Sequence, residues 1–106
     1  MPRAYRITWS GDALDTLVAL LAATQKAEGN PEWVERKFEQ CVQEGVRRLE
    51  LFPDLRIRYV VDDIKCSALT LRTLPLQLFY RRVDEGEIAI FDLRWAVLDE
   101  TGPREP

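Results

Sequence analysis

The pattern of hydrophobic and polar positions divides the chain into strand-like and helix-like parts. Near the N-terminus, Tyr5, Ile7 and Trp9 alternate with polar residues. Successive side chains of an extended segment point to opposite faces, so this period of two predicts a half-buried strand. Two later runs, 76–83 and 88–95, are rich in apolar, β-branched and aromatic residues and also predict strands.

The two later runs are joined by the polar segment 84–87, where Gly86 is free to take the positive φ that a hairpin turn needs. A third apolar run, 69–74, leads into them. We therefore expect consecutive antiparallel strands in this part of the chain. Residues 1–98 are predicted to form a single domain, and residues 99–106, which have little to bury, a flexible tail.

Two helices are predicted between the opening strand and the sheet. Ser10 can cap the first helix, which ends at Gly29. Asn30 and Pro31 supply a cap and a first-turn proline for the second helix, which ends before Pro53 because proline disfavours helical geometry in the residue before it. The short turn between them predicts an antiparallel helical hairpin.

The first helix has a broad apolar face, which predicts contact with both the sheet and the second helix. Gly45, inside the second helix, either permits close approach of a neighbour or is a tolerated weak point. Residues 53–67 leave two alternatives, a short edge strand or a long loop, because Asp62 and Asp63 interrupt an alternating pattern. The face of the first helix comprises Leu14, Leu17, Val18, Leu20 and Leu21, with Ala19, Ala22 and Ala23 beside them.

Composition and charge narrow the classes of partner. The 106 residues carry a net charge of −3, and the acidic excess lies wholly in residues 59–106. This argues against broad attraction to nucleic acid or an anionic membrane. No apolar run approaches the roughly 18 residues that a membrane span requires. With no recognisable leader peptide at its start, the chain is expected to be cytoplasmic.

The residue types that usually carry catalysis or bind metals are scarce. Histidine is absent, which removes histidine-containing triads and imidazole bases. The two cysteines, Cys41 and Cys66, are far apart in sequence and are expected to be buried, reduced hydrophobic residues. We expect neither a metal nor a cofactor.

Local sequences at four places carry a family resemblance: YRITWS at 5–10, LELFP at 49–53, LFYRRVD at 78–84 and IAI at 88–90. In this order and spacing the chain resembles the RelE/ParE superfamily of toxins from bacterial toxin–antitoxin modules. The resemblance implies an α+β fold in the order β-α-α-β-β-β. In that fold an antiparallel sheet of about four strands is covered on one face by a helical hairpin.

The likeness is to ParE more than to RelE. It implies the toxin of a type II toxin–antitoxin (plasmid stabilisation) system, which inhibits DNA gyrase, a type II topoisomerase, by protein binding and is neutralised by a cognate antitoxin. Where many ParE-like members have a histidine followed by an Arg-Asp pair, the matching positions here are Trp95, Leu98 and Asp99. Partners are therefore an antitoxin, in a hetero-oligomer, and gyrase or the ribosome, without sequence-specific nucleic-acid binding by this chain alone.

Two other functions stay open. The first is a RelE-like, ribosome-dependent mRNA endonuclease with Arg72 and Arg94 as charge stabilisers and Tyr80 in stacking or proton transfer, although no tyrosine follows Tyr80. The second is a non-toxic relative that retains only the partner-binding fold. Residues proposed to bind the target or the antitoxin are Trp33, Arg72, Arg81, Arg94 and Trp95. The competing interpretation of the arginines is a solvated face paired with Asp84, Glu87 and Asp92.

Overall fold

The computed structural model describes residues 4–96, and the predicted tail 99–106 lies outside this range. Two helices and five strands are present within it. In chain order they are β1 (Arg6–Trp9), α1 (Gly11–Glu28), α2 (Pro31–Leu51), β2 (Tyr59–Val61), β3 (Ile64–Thr70), β4 (Leu76–Asp84) and β5 (Glu87–Trp95).

The described strands form one sheet in the order β1-β5-β4-β3-β2. The α+β class and the helical hairpin on one face are confirmed, whereas the sheet has five strands instead of about four and is mixed. β1 runs parallel to β5, with Arg6 opposite Glu87 and Trp9 opposite Ile90. A parallel pair needs a long crossover, which the helical hairpin supplies. Local alternation in β1 could not show the direction of a partner about 80 residues away.

Both helix starts are capped as the sequence predicts. Ser10 Oγ accepts a hydrogen bond from the backbone N–H of Ala13 at 3.0 Å, and Asn30 Oδ1 accepts one from the N–H of Trp33 at 3.2 Å. α1 ends with Gly29 in the left-handed region at φ 71°. These contacts satisfy backbone groups that have no partner inside a helix, so the boundaries follow from local sequence.

The turns explain two differences from the predicted strands. Asp62 and Asp63 both have positive φ, 51° and 66°, and form the two-residue turn between β2 and β3. Residues 57–61 therefore end in a short edge strand, and the acidic pair turns the chain into β3. The strand predicted at 69–74 begins instead at Ile64 and ends at Thr70, because the N–H of Leu71 already bonds to the carbonyl of Leu76 at 2.7 Å.

The main core lies between the helical hairpin and one face of the sheet. α2 buries five positions, while Ala13 is the one fully buried residue of α1. The contact predicted for α1 with both the sheet and α2 is confirmed, although part of its apolar face stays in solvent, with Leu14 46% and Val18 64% exposed. β5 and α2 lie along one side of this helix, so the far side of its apolar face remains in solvent. The buried positions of α2 are Val34, Phe38, Cys41, Gly45 and Leu49.

Candidate functional site

The sheet face opposite the helices carries a small apolar cluster around Phe79. Phe79 is 2% exposed although neither α1 nor α2 covers this face. The ring of Tyr59 packs edge-on against it, with ring centroids 5.8 Å apart. The guanidinium carbon of Arg94 lies 5.5 Å from the Phe79 centroid. Arg94 therefore covers this cluster as well as presenting a charge.

Arg94 is neutralised by a neighbour on its own strand. Its Nε donates a hydrogen bond to Asp92 Oδ2 at 2.9 Å. The pairing predicted for a solvated face is thus present at this arginine. Glu87 instead accepts from Arg6, across the β1–β5 pair.

The sequence interpretation placed Arg72 on a strand, but Arg72 does not lie on one. It is exposed in the connection between β3 and β4, because β3 ends at Thr70. The next residue, Thr73, donates its hydroxyl hydrogen to Glu44 Oε1 on α2 at 2.9 Å and ties this connection to the helices. The strand register that places Arg94 opposite Gln77 therefore does not extend to Arg72.

Tyr80 is a core residue. It is buried beneath the helical hairpin, and its hydroxyl donates to the carbonyl of Asp54 at 2.6 Å. Burial, helped by the negative charge of Asp54, raises the pKa of Tyr80 to about 12. The Asp54 carboxylate accepts hydrogen bonds from the guanidinium and from the backbone N–H of Arg56, which keep its pKa well below the usual range. Tyr80 therefore fixes residues 54–56 against the sheet and has no access to an RNA strand.

The two thiols are buried, as predicted. Cys41 Sγ donates a weak hydrogen bond to the carbonyl of Leu74 at 3.6 Å, and burial raises its pKa. Burial likewise raises the pKa of Cys66, which belongs to the Phe79 cluster. Across residues 4–96, no three His, Cys, Asp or Glu side chains are grouped so that they could hold a metal ion. In the same range neither helix has the length and apolar character needed to cross a membrane.

The two tryptophans proposed as contact residues lie at different places. Trp33, 46% exposed, is in the first turn of α2, with the ammonium nitrogen of Lys37 5.7 Å from its ring centroid. Trp95, 40% exposed, ends β5 and packs edge-on against Phe38, with centroids 5.9 Å apart. Trp95 thus joins the sheet to α2 and still presents part of its ring.

The helical hairpin itself carries a groove that the sequence did not single out. Leu17 and Leu21 of α1 and Phe38 and Val42 of α2 line a cavity of about 290 Å³. The α2 side of this groove is polar and partly acidic, with Glu35, Glu39 and Gln43.

A second groove of about 550 Å³ shares Val42 and Gln43 with the first and continues along α2 past Val46 to Leu51. Its lining is mainly apolar, and Arg47 and Glu50 are the charged residues at it. The apolar faces of α1 and α2 are wider in the sequence than one contact per helix would bury. This width is the feature of the sequence that indicates such a groove. We call these two connected depressions the hairpin groove.

Comparison with known proteins gives a likeness to solved structures. No family model matches the chain, and no curated protein matches it. A chain of the chromosomal ParDE TA system from P. aeruginosa superposes with a TM-score of 0.65 over 97% of this chain and 98% of the other, at 20% sequence identity. The fold is of the RelE/ParE type.

This likeness supports the α+β architecture that the resemblance implied, a sheet covered on one face by a helical hairpin. The fold offers several surfaces on which chemistry or binding can take place, and two of them bear on the predicted functions. They are the open sheet face with Arg94 and the hairpin groove with the exposed side of α1. Of the predicted site residues, Arg94 lies on the first surface, and Trp33, Arg72 and Trp95 lie elsewhere along α2 and the sheet ends.

Proposed function

We propose that this protein is the toxin of a type II toxin–antitoxin module, that it inhibits DNA gyrase in the cytoplasm by binding it, and that a cognate antitoxin neutralises it. The observation that carries the proposal is the likeness to a chain of a ParDE TA system over nearly the full length of both chains. Since fold alone does not fix activity, the side chains of this chain must support the choice as well.

The side chains favour binding over RNA cleavage. Cleavage needs a group that removes a proton from the attacking hydroxyl. Tyr80 is buried and bonded to the Asp54 carbonyl, and its raised pKa makes proton loss harder. Arg94 is bound to Asp92. The chain has no histidine, and the part of it that the structure describes offers surfaces for a partner but no assembled base and charge stabiliser.

The hairpin groove is the proposed antitoxin site. Its lining is mainly apolar, and α1, which contributes Leu17 and Leu21 to it, also exposes Leu14 and Val18. A partner seated on this helix would remove these apolar side chains from water. Glu35 and Glu39 at its side complement a basic partner. An amphipathic antitoxin helix with basic residues beside its apolar face fits this combination.

The antitoxin site is tested with paired variants of α1. Leu14→Glu with Val18→Glu places charges on the exposed apolar side, whereas Ala19→Glu with Ala23→Glu adds the same charge at other exposed positions of the helix. We expect the first pair to weaken capture of the product of the adjacent open reading frame by at least about tenfold, and the control pair to retain it. If both double variants capture this product equally well, and both keep the helical circular dichroism of the wild type, the hairpin groove is not the antitoxin site.

The target is tested by capture of gyrase with the tagged chain. We expect the tagged chain to capture gyrase and its induction to arrest growth. Co-expression of the neighbouring gene should prevent both effects. Growth arrest without gyrase capture at micromolar protein would refute gyrase as the target but would still agree with the proposal that the chain is a toxin. Harmless induction would instead support a non-toxic relative that retains the partner-binding fold.

The open sheet face supports one competing function. Arg94 is held in place over Phe79, and a positioned cation is what a RelE-like ribosome-dependent mRNA endonuclease requires at the cleaved phosphate. That function predicts codon-phased mRNA cuts in induced cells and their loss in an Arg72→Ala, Arg94→Ala double variant. Cuts that persist in the double variant would eliminate these arginines as charge stabilisers.

A further inference from the structure

β3 and β4 separate at one end of the sheet. Their register runs from Thr70–Gln77 to Ser67–Tyr80 and stops there. Beyond this point β4 continues to Asp84 along β5, while β3 extends back to Ile64 along β2. Among the strands of residues 4–96, the edge of β4 that faces β3 is therefore without a partner from Arg81 onward, although it lies inside the sheet order.

A cleft of about 450 Å³ occupies the space where the strands part. Lys65 of β3 and both Arg81 and Arg82 of β4 line it. Leu55 and Ile57, from the segment that precedes β2, supply an apolar side, and Ile57 is 63% exposed. We call this depression the β3–β4 cleft.

The cationic groups of the cleft have no partner of opposite charge. Within residues 4–96, Lys65, Arg81 and Arg82 form no ion pair, in a chain whose net charge is −3. The polar groups beside them are already bonded. Ser67 donates its hydroxyl hydrogen to the carbonyl of Arg56 at 2.6 Å, and the carbonyl of Cys66 accepts from the N–H of Arg58 at 3.1 Å. The cleft therefore offers three cations to an external anion.

We propose that the β3–β4 cleft binds a short extended segment of a partner protein, with an Asp or Glu carboxylate at the cations and an apolar neighbour against Ile57. An unpartnered strand edge accepts an extended peptide by backbone hydrogen bonds, and side chains set specificity. The proposal is independent of whether the chain is a toxin, and the site is separate from the hairpin groove.

A nucleic-acid strand fits the cleft less well. Asp84 and Glu85 line a depression that adjoins the cleft at Arg82, so a phosphate backbone that continued past the cations would meet two carboxylates. The apolar contact with Ile57 also has no counterpart on a phosphodiester. A peptide can place a single carboxylate at the cations and turn its remaining residues away.

The test is a titration of the isotope-labelled full chain with an acetylated and amidated hexapeptide of alternating valine and glutamate, followed by amide chemical shifts. We expect shifts concentrated at residues 64–67 and 81–84. Arg81→Gln with Arg82→Gln should weaken binding at least about tenfold, and Lys65→Gln alone at least about threefold, by loss of charge-assisted hydrogen bonds. The matched pair Lys26→Gln with Arg36→Gln, at exposed positions of α1 and α2, should leave affinity unchanged.

Three results would overturn the proposal. One is equal binding of a valine–glutamine hexapeptide, since the carboxylate would then be irrelevant. Another is tighter binding of an oligouridylate at the same residues, which would make the cleft a nucleic-acid site. The last is an absence of shifts at the cleft at about 1 mM peptide. Lys65→Gln changes a single exposed side chain and should leave the fold intact. It therefore tests the role of the cations even if the double arginine variant does not fold.

Discussion

Gly45 should be required for the close packing of α2 on the sheet, and Gly45→Ala tests this. A Cβ built at Gly45 would lie 2.8 Å from Leu78 Cδ1 and 3.1 Å from Leu71 Cδ2. Both leucines are buried in the main core, so their methyl groups can move only into other packed side chains. The two readings of this glycine from sequence therefore predict stability changes of opposite sign.

The sizes of two opposing effects determine whether Gly45→Ala raises or lowers the free energy of unfolding. Alanine in a helix interior is favoured over glycine by about 1 kcal/mol. Adding a methyl group to a well-packed core costs about 1–3 kcal/mol. The net expectation is a loss of about 1 kcal/mol in the free energy of unfolding, or a fall in Tm of about 4–8 °C for a chain of this size.

Urea unfolding of the purified chain measures the change. Gly11→Ala is the matched control, because no atom lies within 4 Å of a Cβ at Gly11 in α1, and it should be neutral or stabilise by about 0.5 kcal/mol. Leu78→Ala removes the contacted methyl group, so its cost and that of Gly45→Ala should not add. Stabilisation by Gly45→Ala of about 1 kcal/mol, with additive costs in the double variant, would refute the packing argument.

Three further predictions concern single side chains. Tyr80→Phe should lower the free energy of unfolding by about 1 kcal/mol through loss of the bond to Asp54. Because folding raises the Tyr80 pKa from 10.0 to about 12, its neutral form stabilises the fold below pH 10. As pH rises from about 10 to 12, the free energy of unfolding of the wild type should fall by about 2–3 kcal/mol more than that of Tyr80→Phe, and urea titrations at each pH measure this. Gly86→Ala, at φ 75°, should cost about 1 kcal/mol from backbone strain alone. Cys41 and Cys66 should react with a thiol dye only as fast as the chain opens, since both are buried; a reaction as fast as that of free cysteine would contradict this.

The parts of the fold that sequence predicted well are those set by neighbouring residues. Helix caps at Ser10 and Asn30 and the hairpin turn at Gly86 depend on contacts within a few residues, and each lies where the pattern placed it. The pair Asp62-Asp63 is local too, and of the two alternatives left open for residues 53–67 the short edge strand is present, with this pair as the turn after it. Aspartate tolerates positive φ, and two such residues in a row make a hairpin turn rather than a break.

The parts that sequence could not predict depend on distant segments. The parallel pairing of β1 with β5 and the separation of β3 from β4 are set by tertiary packing, and no local period encodes them. The same is true of the sites. The RelE-like alternative groups Tyr80 and Arg72 with Arg94 through the family resemblance, whereas packing buries Tyr80 and the end of β3 leaves Arg72 in a connection.

The measurement that tests the central claim most directly is a supercoiling assay with purified DNA gyrase, relaxed plasmid and the purified chain. We expect supercoiling to fall with added protein and to be restored when the antitoxin is bound first. The Leu14→Glu, Val18→Glu variant should inhibit as wild type does but escape the antitoxin. Unimpaired supercoiling at micromolar protein, in a preparation that still arrests growth when expressed, would contradict inhibition by binding to gyrase.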